Sequence, residues 1–95
     1  MTHKDIEKTF DSFITWLKSM RKSIEVETIE TKYAKSKYGV RILDDNRLWL
    51  IGFGDSEAEA MHDVLEDAII NYELEEINRC SSVEELALRL AVMGF

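Results

Sequence analysis

Leu48-Trp49-Leu50-Ile51-Gly52-Phe53-Gly54-Asp55-Ser56-Glu57-Ala58-Glu59-Ala60 changes its hydrophobic period halfway along. From Leu48 to Phe53 the chain is apolar at both parities, the pattern of a strand that is central in its sheet or covered on both faces, unless one face meets a partner. Gly54-Asp55-Ser56 ends that strand, and Ser56 with Glu59 three residues later forms a capping box for a helix. Beyond the box Ala58, Met61, Leu65, Ala68, Ile69, Tyr72 and Ile77 recur at helical spacing, which predicts a helix to about Arg79.

Upstream, Tyr38, Val40 and Ile42 alternate with Gly39 and Arg41, and Asp44-Asp45-Asn46 supplies turn residues, so residues 38–53 read as a hairpin. Ile24, Val26 and Thr28 alternate with glutamates before Ile29, Thr31 and Tyr33 take the other parity, which predicts a strand with a bulge near Thr28. Before it, Ile6, Phe10, Phe13, Ile14 and Leu17 form one apolar helical stripe. Thr2 and Asp5 cap its start, and Lys18, Arg21 and Lys22 suit the negative end of its dipole, giving a helix over about residues 3 to 22. Downstream, Ser82 with Glu85 repeats the capping box, Val83, Leu86, Leu90 and Met93 give a short terminal helix, and Gly94 stands in stop position. The expected fold is α+β: a three-stranded antiparallel sheet packed against helices, in the order α-β-β-β-α-α.

With 95 residues, 45% of them hydrophobic and 33% charged, the chain can build one core and reads as a single globular domain. Its one cysteine, Cys80, cannot form an internal disulfide, which favours a reducing compartment. MTHKDIEKTF is too polar for a signal peptide and no apolar run is long enough to cross a bilayer, so a cytoplasmic location and no membrane association are expected. The net charge of -7 is unevenly spread. Residues 1–54 hold ten Lys/Arg against eight Asp/Glu, whereas residues 55–95 hold two against eleven. Such a field repels nucleic acid and attracts basic surfaces.

Catalytic candidates are few. His62 and Glu66, one helical turn apart, are two ligands where a metal site needs more, and His3 is the only other histidine. Cys80 has Arg79 beside it but no histidine near in sequence to act as base, so it reads as a partly buried, inert thiol. Gly52-x-Gly54 at the strand-to-helix junction lacks both the Lys-Ser/Thr of a P-loop and the third glycine of a dinucleotide fingerprint, and Asp55, Glu57 and Glu59 would face an incoming phosphate. Glycines serving a tight turn explain the pair. The expectation is a protein that is not an enzyme and uses neither cofactor nor metal.

The feature that rises above background is acidic. Glu59, Asp63, Glu66 and Asp67 fall at i, i+4, i+7 and i+8 of the second helix, with Glu73 and Glu76 continuing the surface and no lysine among them. Like charges one turn apart cost about 0.2–0.5 kcal/mol per pair, and carboxylates about 5–6 Å apart resemble the phosphate rows of a duplex. These six residues are the candidate partner-binding site, directed at a basic protein surface such as that of a nucleic-acid-handling enzyme; a merely solvated helix face is the alternative. Trp16, Trp49, Tyr33 and Tyr38 offer a second contact surface; that aromatic sheet face or the terminal helix would suit a homodimer, the expectation for a structural or antitoxin-like dimerisation module. Lys32, Lys35, Lys37, Arg41 and Arg47 around the hairpin would suit nucleic acid, which the overall field opposes.

Two resemblances follow from these residues. The order helix, three strands, helix, with Gly52-x-Gly54-x-Ser56-x-x-Glu59-Ala60 at the junction, is similar to the double-stranded-RNA-binding domain over about residues 3 to 79. In that family the start of this helix carries lysines that contact phosphates. Here Glu57 and Glu59 stand there, followed by Asp63, Glu66 and Asp67, so the charge is inverted. In size, charge and element order the chain also resembles small acidic phage-encoded inhibitors, including anti-CRISPR and host-takeover proteins. That resemblance implies a nucleic-acid mimic that occupies a nucleic-acid-binding surface.

Overall fold

The computed structural model describes residues 1–32, 36–71 and 73–95. Its elements run α1 (His3–Met20), β1 (Ile24–Glu30), β2 (Tyr38–Asp44), β3 (Arg47–Gly54), α2 (Glu57–Ile69) and α3 (Val83–Val92), the α+β order read from the sequence. Tyr33 and Lys35 of the expected surface patches, and Tyr72 of the expected buried stripe, lie outside the described residues.

The three antiparallel strands lie in the order β1-β2-β3. β3 is therefore an edge strand, not the central one: Leu50, Gly52 and Gly54 are buried, while Leu48 is 55% and Phe53 40% exposed. Its apolar residues at both parities serve one covered face and one open face. The β2–β3 connection is a two-residue turn in which Asp45 (φ 52°) and Asn46 (φ 63°) both adopt the left-handed conformation. Asp and Asn tolerate that conformation, and it matches the twist of the flanking strands.

The expected bulge near Thr28 is absent, since β1 pairs with β2 without interruption from Ile24↔Asp44 to Glu30↔Tyr38. The irregularity sits in β3 instead. Ile42 pairs with Leu50 and Leu43 with Leu48, which leaves Trp49 as the extra residue. A bulge re-aims a side chain, and Trp49 packs against the core on the helix side instead of sharing a face with Ile51 and Phe53. Trp16, read as a flanking aromatic, is buried beside Phe13 with ring centroids 5.8 Å apart.

α2 lies on β3 and β2, and α1 packs on α2 and α3 while only touching β1. The buried residues of α2 are Ala58, Ala60, Val64, Leu65, Ala68 and Ile69, with Met61 half-buried. A Cβ added to Gly52 would stand 2.5 Å from both the Ala60 carbonyl oxygen and the Val64 nitrogen, and one added to Gly54 would stand 2.5 Å from the Ala60 nitrogen. The glycine pair thus serves a close helix-on-strand approach, not the tight turn expected of it.

Three caps form, but the reciprocal box closes only at Thr2, where Asp5 accepts the Thr2 amide at 3.2 Å; Glu59 and Glu85 accept instead the amides of Asp55 and Ser81, one residue before the cap. Thr2, Ser56 and Ser82 accept the amides of Asp5, Glu59 and Glu85 at 3.1, 3.1 and 3.2 Å. α1 ends at Met20, earlier than the expected residue 22, because Arg21 turns extended and reaches elsewhere. Past Met93, the Phe95 amide bonds the Leu90 carbonyl and the Gly94 amide that of Ala91, with Gly94 left-handed at φ 93°, which completes the expected glycine stop.

α2 stops at Ile69, ten residues short of Arg79. The Asn71 side chain takes the Glu73 amide at 2.9 Å, a bond that competes with continued helix, and the carboxylates of Glu73, Glu75 and Glu76 would sit at the negative end of a longer helix dipole. From Asn71 the chain instead makes successive turns, in which the amides of Leu74, Ile77 and Cys80 bond the carbonyls three residues before them. Leu74, Ile77, Cys80 and Val83 are buried at that three-residue period.

Two outcomes follow. Gly52→Ala places a methyl group into α2 backbone and costs about 1–3 kcal/mol, a fall in Tm on the order of 5–20 °C by thermal denaturation. Gly39→Ala meets only the movable Ile29 and Phe53 side chains at 3.0–3.3 Å and costs less. Acidification also destabilises. Amide and hydroxyl donors at the helix starts lower the carboxyl groups of Asp5 (first the Thr2 hydroxyl) and Glu85 (first the Ser81 amide) from their ordinary values. A folded-state pKa below the unfolded one gives stability that is present above the ordinary carboxylate range and lost as pH falls through the folded value. Tm therefore declines below about pH 4, and Glu85→Gln lowers Tm at pH 7 while narrowing the difference between pH 7 and pH 3.

Candidate functional site

The close seat of α2 decides which way its acidic residues point. With Ala60, Val64 and Ala68 turned to the sheet, Glu59, Asp63 and Glu66 are exposed and Asp67 is half-buried along the flank of the helix beside the outer edge of β3. The structure brings these four together on one helix face as the sequence spacing requires. None of the ion pairs among the described residues brings a lysine or arginine to any of them.

They are nevertheless engaged locally. Glu59 accepts the Asp55 amide at 2.9 Å, closing the cap that Ser56 begins. Asp63 accepts the Phe53 amide at 2.9 Å, reaching from the helix onto the outer edge of β3. Glu66 accepts from His62 Nδ1 at 2.8 Å, so the two metal-ligand candidates bind each other. Asp67 makes no ion pair among the described residues. A hydrogen bond to an amide leaves the carboxylate its charge and further acceptor sites, so the face stays negative.

Glu73 and Glu76 do not continue the stripe, because the helix that would align them ends at Ile69. Both are exposed on the turns that follow. Glu73 lies 3.8 Å from Arg21 Nη2, while Arg21 Nη1 bonds Asp44 Oδ2 at 2.6 Å and the guanidinium stands 4.4 Å from the centre of the Trp49 ring. Arg21 thus ties the end of α1 to the hairpin and to the segment after α2. Glu76 borders a groove with Arg79, Cys80, Glu85, Leu88, Arg89 and Val92.

The other candidates hold little chemistry. Cys80 is buried, and burial, helped by Glu85, raises its thiol above the ordinary value, which disfavours the nucleophilic thiolate. Among the described residues no three His, Cys, Asp or Glu side chains gather as metal ligands. On the hairpin, Arg41 is bonded to Glu27, whereas Lys32, Lys37 and Arg47 are exposed. Among the described residues no helix is long and apolar enough to cross a membrane.

Sequence reasoning missed the Arg21 cluster and the Asp63–Phe53 bond. Both join elements whose adjacency only the tertiary fold supplies. The chain matches no protein family, no curated protein and no solved structure with which it was compared.

Proposed function

We propose that this protein is a non-enzymatic acidic binding module, an inhibitor or regulator that presents α2 to a basic surface on a nucleic-acid-handling protein. The observation that carries the reading is the set Glu59, Asp63, Glu66 and Asp67 along one flank of a single helix, with no lysine or arginine paired to it among the described residues. Glu59 and Asp63, and Asp63 and Asp67, are one turn apart, so the face is held together against its own repulsion, and a cationic partner would relieve it. In size, charge and element order the chain resembles phage-encoded inhibitors of the anti-CRISPR or host-takeover kind, and a nucleic-acid mimic is the form of action that resemblance suggests. Cytoplasmic residence fits that role. The element order shared with the double-stranded-RNA-binding domain does not bring RNA to α2, because Glu57 and Glu59 occupy the helix start that lysines hold in that family.

A second reading, a homodimer, has its own observation. Leu88 and Val92, one turn apart on α3, are 69% and 86% exposed. Mass in solution at two protein concentrations separates the two, since the mass of a single chain at both concentrations removes the dimer reading.

The structure also selects the variant for testing the first reading. Charge reversal at Glu59 or Asp63 would break the hydrogen bonds to Asp55 and Phe53. The quadruple change Glu59→Gln, Asp63→Asn, Glu66→Gln and Asp67→Asn keeps an oxygen acceptor at each place and removes four charges. Capture of a nucleic-acid-binding protein by the unaltered chain, its release at about 0.5 M salt, and at least tenfold weaker capture by the variant, which unfolds cooperatively at a somewhat lower Tm and is folded at the assay temperature, support the proposal. Equal capture by both proteins contradicts it.

A further inference from the structure

The two edges of the sheet are built differently. In β3 the residues Leu50, Gly52 and Gly54 pair with β2, so the Phe53 amide points outward, where Asp63 takes it at 2.9 Å. The extra residue Trp49 interrupts the same strand. A bulge and a capped amide are common ways of closing an edge to further strands.

β1 has neither device. Its seven residues run in unbroken register. The Thr31 amide bonds the Lys37 carbonyl at 2.9 Å and the Asp45 amide bonds the Ser23 carbonyl at 3.1 Å, which fixes the phase of the ladder. Odd-numbered residues of β1 therefore bond β2, and the main-chain groups of Ile24, Val26, Thr28 and Glu30 point away from the sheet. No described residue bonds them. The helices also stop short of this strand: Ile24 is buried, whereas Val26 on the same face is 38% exposed, and Thr28 and Glu30 are exposed.

We propose that β1 is a docking edge at which an extended, basic segment of a partner protein adds as a fourth strand. Charge argues for a basic occupant. Glu25, Glu27 and Glu30 lie on β1, and among the described residues only Glu27 has a cation, Arg41, bonded to it. Charge argues against a second copy, because self-pairing brings three glutamates from each strand to one seam. The complementary segment carries Lys or Arg on the parity that faces Glu25 and Glu27, and an apolar residue beside Val26 on the other. This surface lies on the opposite edge of the sheet from β3, on which α2 is seated, and does not rest on the α2 reading.

The probe is a fluorescein-labelled seven-residue peptide of alternating lysine and valine, with two further versions N-methylated on every second amide in either parity. Anisotropy is expected to show half-saturation below about 1 mM for the unmodified peptide, with one methylated parity losing binding at least tenfold and the other keeping it. Bound peptide slows exchange of the Val26 and Thr28 amides by NMR and leaves the α2 amides unchanged. Thr28→Pro removes an outward amide without removing a ladder bond, and is expected to abolish binding. The variant neutralised at Glu59, Asp63, Glu66 and Asp67 is expected to bind the peptide as the unaltered chain does, so that failure of either reading leaves the other standing. Absence of binding, equal binding of both methylated peptides, or exchange protection on α2 in place of β1 overturns the proposal. Should Thr28→Pro unfold the chain, the methylated peptides decide alone.

Discussion

Everything outward from the core depends on how closely α2 approaches the backbone of β3. Gly52 and Gly54 meet Ala60 and Val64 where no side chain fits between strand and helix. That contact sets the height and rotation of α2, and rotation decides which residues face solvent. It also brings Asp63 near enough to the outer edge of β3 to bond the Phe53 amide. One constraint of volume thus aligns the acidic face and closes one sheet edge, leaving β1 as the open one.

Helix caps and the hairpin turn are legible in the sequence because local physics decides them. Three Ser or Thr residues, each followed three positions later by an acid, cap three helices, and Asp45-Asn46 makes the hairpin turn with both residues left-handed. What depends on neighbours distant in sequence was not legible. β3 looked central because Leu48 and Phe53 are apolar, yet strand order is a property of the whole sheet and both are exposed on its uncovered face. Trp49 looked like a partner of Ile51 until the bulge turned it toward Arg21. The end of α2 misled for a different reason. Its apolar residues continue past Ile69, but at a three-residue period through Leu74, Ile77, Cys80 and Val83, which lies close to the helical period of about 3.6 residues. Four of the six predicted site residues consequently stand together and two do not.

The carboxylates of α2 have architectural work as well as charge. Glu59 completes a helix start, Asp63 caps a strand amide, and Glu66 receives His62. An acidic residue so bonded keeps its negative charge while gaining a fixed direction, and fixed direction is what a surface needs to be read by a partner. Arg21 shows the contrasting use: it draws Asp44 and Glu73 inward around Trp49 and spends their charge on holding α1, the hairpin and the turns together.

The seat of α2 on β3 can be observed without altering the chain. A nuclear Overhauser spectrum of the folded protein should contain strong cross-peaks from a Gly52 Hα to the Val64 amide proton and from a Gly54 Hα to the Ala60 amide proton, since the Cβ sites of these glycines lie 2.5 Å from those nitrogens. Absence of both from an otherwise well-resolved spectrum would place α2 farther from the strand and remove the basis for the orientation of its acidic face.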